Sequence, residues 1–311
     1  MKILVTGGAG YIGSVLVPVL LTHGHEVIVL DNFRYRQYTA LANCCRQDNL
    51  SIIKGDVRDT GQLELLCSKV NCIIPLAALV GAPICELYPT EATDVNYGQL
   101  ERIIEYSADK FIIYPNTNSG YGKSSKICTE EDPLKPVSLY GHTKCEVETI
   151  LEERHDCYVV LRLATVFGAS PRMRTDLMVN DFVLRAYHTH HLSIYEPNAR
   201  RNFIHILDVA RVFLQLVNMY DMGQYPIDRV YNLGHDESNM TKIGLCKLIK
   251  EYLPGLEWSI HPGADPDGRD YIVSNERIKT IGAAPALHVR DGIRELVNLY
   301  ECFPIYPWGN V

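Results

Sequence analysis

The chain of 311 residues carries 30 basic and 37 acidic side chains, and its net charge of −7 argues against a general nucleic-acid-binding surface. It has no apolar run of about eighteen residues, and its start, MKILVTGG, reaches glycines before a signal-peptide core forms. We therefore expect a cytoplasmic protein with neither a membrane segment nor a nucleic-acid partner. The length predicts one large domain with a smaller appended lobe.

Neither the cysteines nor the histidines follow a metal-site pattern. The ten cysteines show no repeated C-x-x-C spacing, so we expect reduced thiols rather than a disulfide framework or a zinc site. The run HTHH contains His188, His190 and His191, but carboxylates or cysteines at ligand spacing are lacking nearby. We therefore expect no metal site.

The stretch TGGAGYIG lies between a predicted strand and a predicted helix. Residues 3–5 are apolar and predict a strand. In residues 14–23 the apolar side chains recur with the period of a helix, and this pattern ends at Gly24. A G-x-G-x-x-G pattern is weak alone, but this context favours a dinucleotide site. Gly7 would permit a tight turn, Gly10 would admit a pyrophosphate, and Gly13 would let the helix pack closely on the strand.

Asp31 follows the second predicted strand, residues 26–30, where dinucleotide-binding folds place an acidic residue about 20 residues after the glycines. A carboxylate there accepts hydrogen bonds from the adenosine ribose, which favours NAD. Arg34 and Arg36 lie close enough in sequence to bind a 2′-phosphate, so NADP stays open as the alternative.

Predicted strands and helices continue to alternate along the chain. The segment LSIIKGDVRD predicts a third strand ending at Asp56 and Val57, which would contact adenine unless they form a surface loop. Further strands are predicted by VNCIIPLAALVGAP, KFIIYPNTNSGYG, CYVVLRLATVFG and RVYNLG. The alternation predicts an α/β fold, a Rossmann-type doubly wound parallel sheet with a smaller C-terminal substrate-binding lobe.

The strand spacing widens after Gly168, where proline, arginine and asparagine become frequent, as in loops that close over a substrate. We place the NAD-binding domain at residues 1–170, with residues 204–235 returning to it. The substrate-binding lobe would comprise residues 171–203 and 236–311.

Motifs at separated places agree with one family: TGGAGYIG, Asp31, GDV at 55–57, Leu76-Ala77-Ala78, Asn96, Thr117 before Tyr121-Gly122, YGHTK at 140–144 and RNFIHILD at 201–208. The chain resembles the extended short-chain dehydrogenases/reductases of the nucleotide-sugar epimerase and dehydratase type. Pro75 departs from the family, which more often has a polar residue there. The resemblance and the residues together indicate an NAD site formed by Gly7, Gly10, Tyr11, Ile12, Gly13, Asp31, Asn32, Asp56, Val57, Leu76, Ala77, Ala78, Tyr140 and Lys144.

Tyr140 and Lys144 are the predicted centre of the chemistry. Residues four apart share a helix face, so both side chains can point at one cofactor. A tyrosine with its ordinary pKa of about 10 is mostly protonated at neutral pH, but the lysine ammonium and an oxidised nicotinamide favour the phenolate. Tyr140 would accept a hydroxyl proton while hydride leaves the same carbon for NAD. The resemblance implies that Thr117 holds that hydroxyl.

The two residues after Thr117 narrow the range of reactions that the chain is expected to catalyse. Similar 4,6-dehydratases usually have aspartate and glutamate there, to protonate the leaving hydroxyl and to remove a proton beside the ketone. Here the positions hold Asn118 and Ser119, which disfavours loss of water and leaves oxidation or epimerisation. Both are candidate substrate contacts, or they cap a turn.

Arginines are the predicted substrate-binding residues, since each guanidinium donates two hydrogen bonds to phosphate oxygens. Arg201 in RRNFIH and Arg269 in DGRDYIVS resemble the family arginines that bind the substrate diphosphate. Asn180 in LMVNDF is expected to add a diphosphate or base contact. Arg172 and Arg174 in SPRMR are further candidates.

The segments IIPLAALVGAPIC, YPNTNSGYG and RLATVFGASPRMRTDLMVNDF resemble the GDP-heptose 4-dehydrogenases of bacterial capsule pathways. That resemblance implies oxidation of the sugar C4 hydroxyl, with NAD regenerated by reduction of α-ketoglutarate. A C4 epimerase, which needs no second oxidant, and a non-catalytic NAD-sensing protein remain as alternatives. In this family, helices near residues 89–106 and 140–154 commonly pack against a second subunit, so a homodimer is also expected.

Overall fold

Alternating short strands and helices make up the computed structural model, which describes residues 1–263, 268–303 and 309–310. The strands are β1 Lys2–Thr6, β2 Glu26–Asp31, β3 Leu50–Lys54, β4 Cys72–Pro75, β5 Phe111–Thr117, β6 Lys123–Cys128, β7 Tyr158–Leu163, β8 Thr165–Phe167, β9 His191–Ile194, β10 Arg200–Arg201, β11 Phe203–His205, β12 Val230–Leu233, β13 Met240–Thr241, β14 Glu257–Ile260 and β15 Asp270–Val273. The helices are α1 Gly13–Thr22, α2 Thr60–Cys67, α3 Ala82–Leu87, α4 Pro89–Thr93, α5 Gln99–Tyr106, α6 Leu139–Arg154, α7 Met178–Thr189, α8 Ile206–Asp221, α9 Lys242–Tyr252, α10 Glu276–Lys279 and α11 Val289–Cys302. A π-helical turn, Asp94–Gly98, joins α4 to α5.

The main sheet has seven parallel strands in the order β12-β7-β5-β4-β1-β2-β3. From β1 the chain first adds β2 and β3 on one side, and then returns to add β4 on the other side. The direction of winding therefore reverses between β1 and β4, and ligands of such sheets bind at the carboxyl ends of the strands beside this reversal.

Both faces of the sheet are buried. In β1, Ile3 and Val5 belong to the hydrophobic core that contains buried residues of α1 and α8. Leu4 points to the opposite core, which contains buried residues of α2, α5 and α6. Since successive side chains of a strand point to opposite faces, the apolar run of β1 supplies both cores. The predicted doubly wound α/β fold is confirmed.

The predicted first elements are also confirmed: β1, α1 and β2 lie where the apolar patterns placed them. Gly24 follows α1 with φ +83°, a conformation that glycine adopts readily. Pro75 ends β4 and fits there because the pairing of β4 with β5 already stops at Ile73, so the missing N–H breaks no bond of that ladder.

The predicted strand CYVVLRLATVFG is two strands. β7 stays in the main sheet, whereas β8 leaves it and pairs with β11. Three further two-stranded sheets pair β10 with β13, β14 with β9, and β15 with β6. Because β12 pairs with β7, the chain returns to the main sheet before its last segment. The lobe boundaries stay a prediction, and part of the predicted segment 236–311 lies outside the described residues.

None of the described helices is both long enough and apolar enough to cross a membrane. The cytoplasmic location stays a prediction. All ten cysteines lie in the described part of the chain as free thiols.

The turn after β1 gives a prediction about stability. Gly7 has φ +68°, and a Cβ atom there would lie 2.6 Å from the backbone nitrogen of Ala77. We predict that Gly7→Ala lowers the free energy of unfolding by about 3 kcal/mol, since left-handed strain adds to a steric clash. Gly24 also has a positive φ, but a Cβ atom there would meet nothing within 4 Å, so Gly24→Ala should cost about 1 kcal/mol. Equal losses for the two variants in urea unfolding would show that the close approach of Gly7 to Ala77 adds no cost.

Candidate functional site

A cavity opens along the carboxyl edge of the main sheet, beside the reversal between β1 and β4. Its wall contains residues 30–37, 55–57 and 76–82, together with residues 115–117 at the end of β5. The structure brings most of the predicted site residues into this wall: Gly7, Gly10, Tyr11, Ile12, Gly13, Asp31, Asn32, Asp56, Val57, Leu76, Ala77, Ala78, Thr117, Ser119, Tyr140, Lys144, Arg172, Arg174 and Arg269. Asn118, Asn180 and Arg201 lie outside it.

The glycine-rich turn packs tightly against its neighbours. A Cβ atom on Gly13 would lie 2.5 Å from the carbonyl oxygen of Gly8, so α1 starts at a distance that only glycine allows. The backbone N–H of Gly10 donates to the carbonyl of Gly7 over 2.9 Å. The turn therefore brings the N-terminus of α1 to the cavity, where its first N–H groups favour an anion.

Two backbone hydrogen bonds hold the carboxylate of Asp31 at the edge of the cavity. It accepts from the N–H of Ala9 over 3.0 Å and from that of Phe33 over 2.8 Å. Burial raises the pKa of Asp31, and the two hydrogen bonds act in the opposite direction. Arg34, one of the candidates for a 2′-phosphate, donates instead to Glu91 over 2.7 Å. A fixed acceptor at this place suits ribose hydroxyls.

Asp56, which with Val57 is predicted to contact adenine, has its carboxylate bound by side chains of the protein itself. Both of its oxygens accept from the guanidinium of Arg58 over 2.8 Å, and Asn32 donates to it over 3.2 Å. Because Arg58 donates these hydrogen bonds, the pKa of Asp56 is held well below its usual range. The carboxylate is already engaged, while the buried side chain of Val57 remains as an apolar contact surface in the wall.

The three predicted catalytic side chains reach the cavity from two elements. Thr117 is the last residue of β5, and Tyr140 and Lys144 lie one turn apart in α6, which Ser138 caps. The hydroxyl of Thr117 donates to Oγ of Ser119 over 2.9 Å and accepts from the backbone N–H of Ser119 over 3.1 Å. These contacts fix the threonine hydroxyl at the end of the strand.

Burial dominates the electrostatics of Tyr140 and Lys144. It raises the pKa of Tyr140 to about 12 and lowers the pKa of Lys144 to about 7. The ammonium of Lys144 lies 4.1 Å from the ring centroid of Tyr114. We expected the lysine charge to lower the pKa of Tyr140, but the cations that lower it here are Arg174 and Arg269. The surrounding protein disfavours both charged forms, because each is desolvated.

Asn118 lies beneath the wall rather than in it. Its side chain is fully buried, and its amide oxygen and nitrogen find no hydrogen-bond partner among the described residues. Only Ser119 of the predicted pair reaches the cavity, where the guanidinium of Arg269 donates to its hydroxyl.

Arg201 holds another arginine in place. Its side chain is almost completely buried, and its guanidinium donates to the backbone carbonyls of Arg200, over 3.0 Å, and of Arg269. In this structure Arg201 therefore orients the segment that carries Arg269 instead of lining the cavity itself.

Asn180 has a similar position behind Arg174. Its fully buried amide accepts from the N–H of Gly168 over 3.0 Å, and donates to the carbonyl of Arg174 over 2.8 Å and to the hydroxyl of Tyr11 over 3.1 Å. The amide of Asn180 contacts the chain itself here, and its predicted diphosphate or base contact stays a prediction. Its amide fixes the loop that presents Arg174 to the cavity.

Sequence reasoning missed several contacts in the wall and behind it. Tyr35 packs under the guanidinium of Arg172, which lies 4.3 Å from the ring centroid and donates to Asn310 over 2.8 Å. Ser14 and Ser170 hydrogen-bond to each other over 2.9 Å and thereby tie the loop after β8 to the glycine turn. No sequence signal joins these pairs, because each is separated by more than a hundred positions.

Comparisons with known proteins agree with this geometry. The sequence profile described as "NAD dependent epimerase/dehydratase family" matches residues 3–234. The low-salt glycan biosynthesis protein Agl12 of Haloferax volcanii is 28% identical, and the alignment covers 96% of this chain and 98% of that protein. The UDP-glucose 4-epimerase of Halalkalibacterium halodurans is also 28% identical, with 90% of this chain and 89% of that protein covered.

A solved structure extends the similarity to three dimensions. The UDP-glucose 4-epimerase of Thermotoga maritima, solved with UDP-glucose, superposes with a TM-score of 0.83 at 26% identity. The superposition covers 97% of this chain and 99% of that chain.

The buried lysine gives a prediction about pH. The pKa of Lys144 is about 7 in the folded chain and about 10.4 in an unfolded one. Between these values the unfolded chain binds one more proton, so stability rises with pH over this window, and the penalty is full below pH 7. We predict that Lys144→Met stabilises the cofactor-free protein by a few kcal/mol at pH 7, at about 1.4 kcal/mol per pKa unit, and much less at pH 10.

Urea unfolding at pH 7 and pH 10 measures this difference, with Lys69→Met as the control at an exposed position. A gain that does not depend on pH would show that packing, and not desolvation of the ammonium, is responsible.

Proposed function

Because the chain belongs to the NAD dependent epimerase/dehydratase family, we propose that it oxidises the C4 hydroxyl of a nucleotide sugar to a ketone. It is an NAD-dependent enzyme of the nucleotide-sugar epimerase/dehydratase class. The observation that carries the proposal is that Thr117, Tyr140 and Lys144 lie in the wall of the same cavity as the glycine turn. From the motif resemblance, the proposed substrate is a GDP-linked heptose and the proposed second oxidant is α-ketoglutarate.

The residues of the wall fit NAD. The glycine turn places the N-terminus of α1 at the cavity, where a pyrophosphate would bind, and the fixed carboxylate of Asp31 suits the adenosine ribose. When bound, NAD supplies an acceptor for the hydride of the oxidised carbon.

Tyr140 would take the hydroxyl proton of the substrate, and Thr117 would orient that hydroxyl. The phenol must lose its own proton first, and its raised pKa shows that burial opposes this step in the cofactor-free chain. Arg174 and Arg269 act in the required direction, since positive charge favours the phenolate. Both guanidiniums come from segments after β8.

The distribution of charge in the wall supports oxidation over loss of water. Its described carboxylates are those of Asp31, Asp56 and Glu91, and all three lie in or beside the segments after β2 and β3. Of the two residues that follow Thr117, only Ser119 lies in the wall, and its hydroxyl is no replacement for a carboxylic acid. The cations Arg172, Arg174 and Arg269 also lie in the wall and would suit a diphosphate.

A C4 epimerase is the second candidate. The similar proteins from Halalkalibacterium halodurans and Thermotoga maritima are both UDP-glucose 4-epimerases. The same three side chains would serve that reaction, in which the ketone turns and takes its hydride back on the opposite face.

Product analysis separates the two candidates. The purified protein is mixed with GDP-heptose, with and without α-ketoglutarate, and the sugars are identified by NMR. A 4-keto sugar that accumulates to more than one equivalent of enzyme only with the keto acid supports the dehydrogenase. Interconversion of two GDP-sugars without keto acid supports the epimerase, and neither product with GDP- or UDP-sugars would contradict both proposals.

Removing the phenolic hydroxyl of Tyr140 tests its proposed role. We predict that Tyr140→Phe lowers kcat by about 10²–10⁴-fold while bound NAD is retained, because only the proton acceptor is removed. Tyr231→Phe is the matched control, since Tyr231 is also buried but lies in β12 outside the cavity wall. Equal kcat values for Tyr140→Phe and the wild type would contradict the assignment.

We also propose that the protein is a homodimer. α5 and α6 pack against each other, and His142, Glu146, Thr149 and Glu153 form an exposed stripe along α6. We predict that light scattering after size exclusion gives the mass of two chains, and that Thr149→Arg shifts it to one chain. Thr22→Arg, at an exposed end of α1, should leave the dimer intact. A monomeric wild type would contradict the proposal.

A further inference from the structure

Outside the cavity wall, three metal-ligating side chains meet between distant parts of the chain. His235 and Glu237 lie after β12, and His288 is the N-cap of α11. One ligand atom from each lies within 4.8 Å of the other two. We propose that this cluster, the His–Glu clip, binds a Zn²⁺ ion.

The spacing and chemistry of the ligands suit zinc. Imidazole nitrogens and carboxylate oxygens bind Zn²⁺ at about 2.0–2.2 Å, which places tetrahedral ligands about 3.3 Å apart. Nδ1 of His288 and Oε2 of Glu237 already lie 3.3 Å apart, and the rings of His235 and His288 have centroids 4.4 Å apart. Three protein ligands leave the fourth position to water.

His235 supplies a second, independent observation. Its Nδ1 atom is buried and has no hydrogen-bond partner among the described residues. A buried nitrogen without a partner is unfavourable, because folding removes its water and gives nothing in exchange. A metal ion bound at this nitrogen would satisfy it.

Backbone contacts hold both histidines where the clip needs them. The N–H of His235 donates to the carbonyl of Phe203 over 3.1 Å, and its carbonyl accepts from Asn202 over 2.9 Å. The N–H of His288 donates to Asp291 over 3.0 Å, in the first turn of α11. These contacts fix the backbone from which both imidazoles extend.

The carboxylates around the clip leave one negative charge for a cation. Asp208 and Asp236 both act on the imidazole of His235, but each also binds a basic side chain, Arg211 over 2.9 Å and Lys279 over 2.6 Å respectively. Glu237 has its Oε2 atom 3.3 Å from Nδ1 of His288, inside the clip itself. Its charge is therefore the one that a bound ion would meet directly.

A bound ion would join the connection after β12 to the start of α11. From α11, Glu295 accepts from the N–H of Ala169 over 3.2 Å and hydrogen-bonds to His205 over 2.7 Å. The clip would therefore strengthen the attachment of the loop after β8 without touching the substrate. It should raise thermal stability and leave kcat unchanged.

The test uses the purified NAD-containing protein and Zn²⁺ in a buffer without chelators or thiols. We expect one Zn²⁺ per chain by calorimetry, and a rise in Tm of about 4 °C when free Zn²⁺ is about one hundred times Kd. His288→Asn should weaken binding at least tenfold and abolish the rise in Tm, while asparagine still caps α11. His235→Gln should do the same, and Mg²⁺ should have no effect.

The controls test whether other histidines or the cysteines bind the Zn²⁺ ion instead. His188→Gln and His191→Gln remove histidines of the HTHH run and should leave binding unchanged. The Co²⁺-loaded protein should lack the intense near-ultraviolet band of a cobalt–thiolate bond, which excludes the cysteines as ligands. No binding by the wild type, or equal binding by the wild type, His288→Asn and His235→Gln, would overturn the proposal.

Discussion

The close approach of the glycine turn to the backbone of Ala77 determines where the chemistry can take place. β1 and β4 are neighbours in the sheet, and the chain leaves them toward opposite sides. Only a residue without a side chain lets the turn after β1 lie against the end of β4. The cavity opens at this carboxyl edge, and residues at or just after the ends of β2, β3 and β5 line it.

Burial is the second constraint, and it opposes the chemistry until positive charge is supplied. Tyr140 and Lys144 are desolvated, so the phenol holds its proton and the lysine loses its charge more easily than in water. The compensating guanidiniums come from segments after β8. Arg174 and Arg269 are each held through a backbone carbonyl, by Asn180 and by Arg201 respectively. The site thus depends on contacts between segments that are distant in sequence.

The sequence predicts the features that neighbouring residues determine. The periodicity of the apolar residues and the spacing of the glycines locate β1, α1 and β2, because each of these elements is specified by residues that are close together in the sequence. Asp56 shows a missed local signal: Arg58 follows two residues later and takes up its carboxylate. Arg201 and Asn180 show the limit of motif reasoning, since a motif identifies a residue but not whether its side chain faces the ligand or a carbonyl behind it. The His–Glu clip shows the same limit, because its histidines come together only in the folded chain.

The pKa of the Tyr140 phenol, in the NAD-loaded and in the cofactor-free protein, tests the proposed chemistry most directly. It is measured from the ultraviolet absorbance of tyrosinate, as the difference between wild type and Tyr140→Phe across a pH titration. We expect a pKa near 12 without NAD and a clear fall toward neutral pH when NAD and a nucleotide sugar are bound. A phenol whose pKa stays near 12 in the loaded protein would contradict the role of Tyr140 as the proton acceptor.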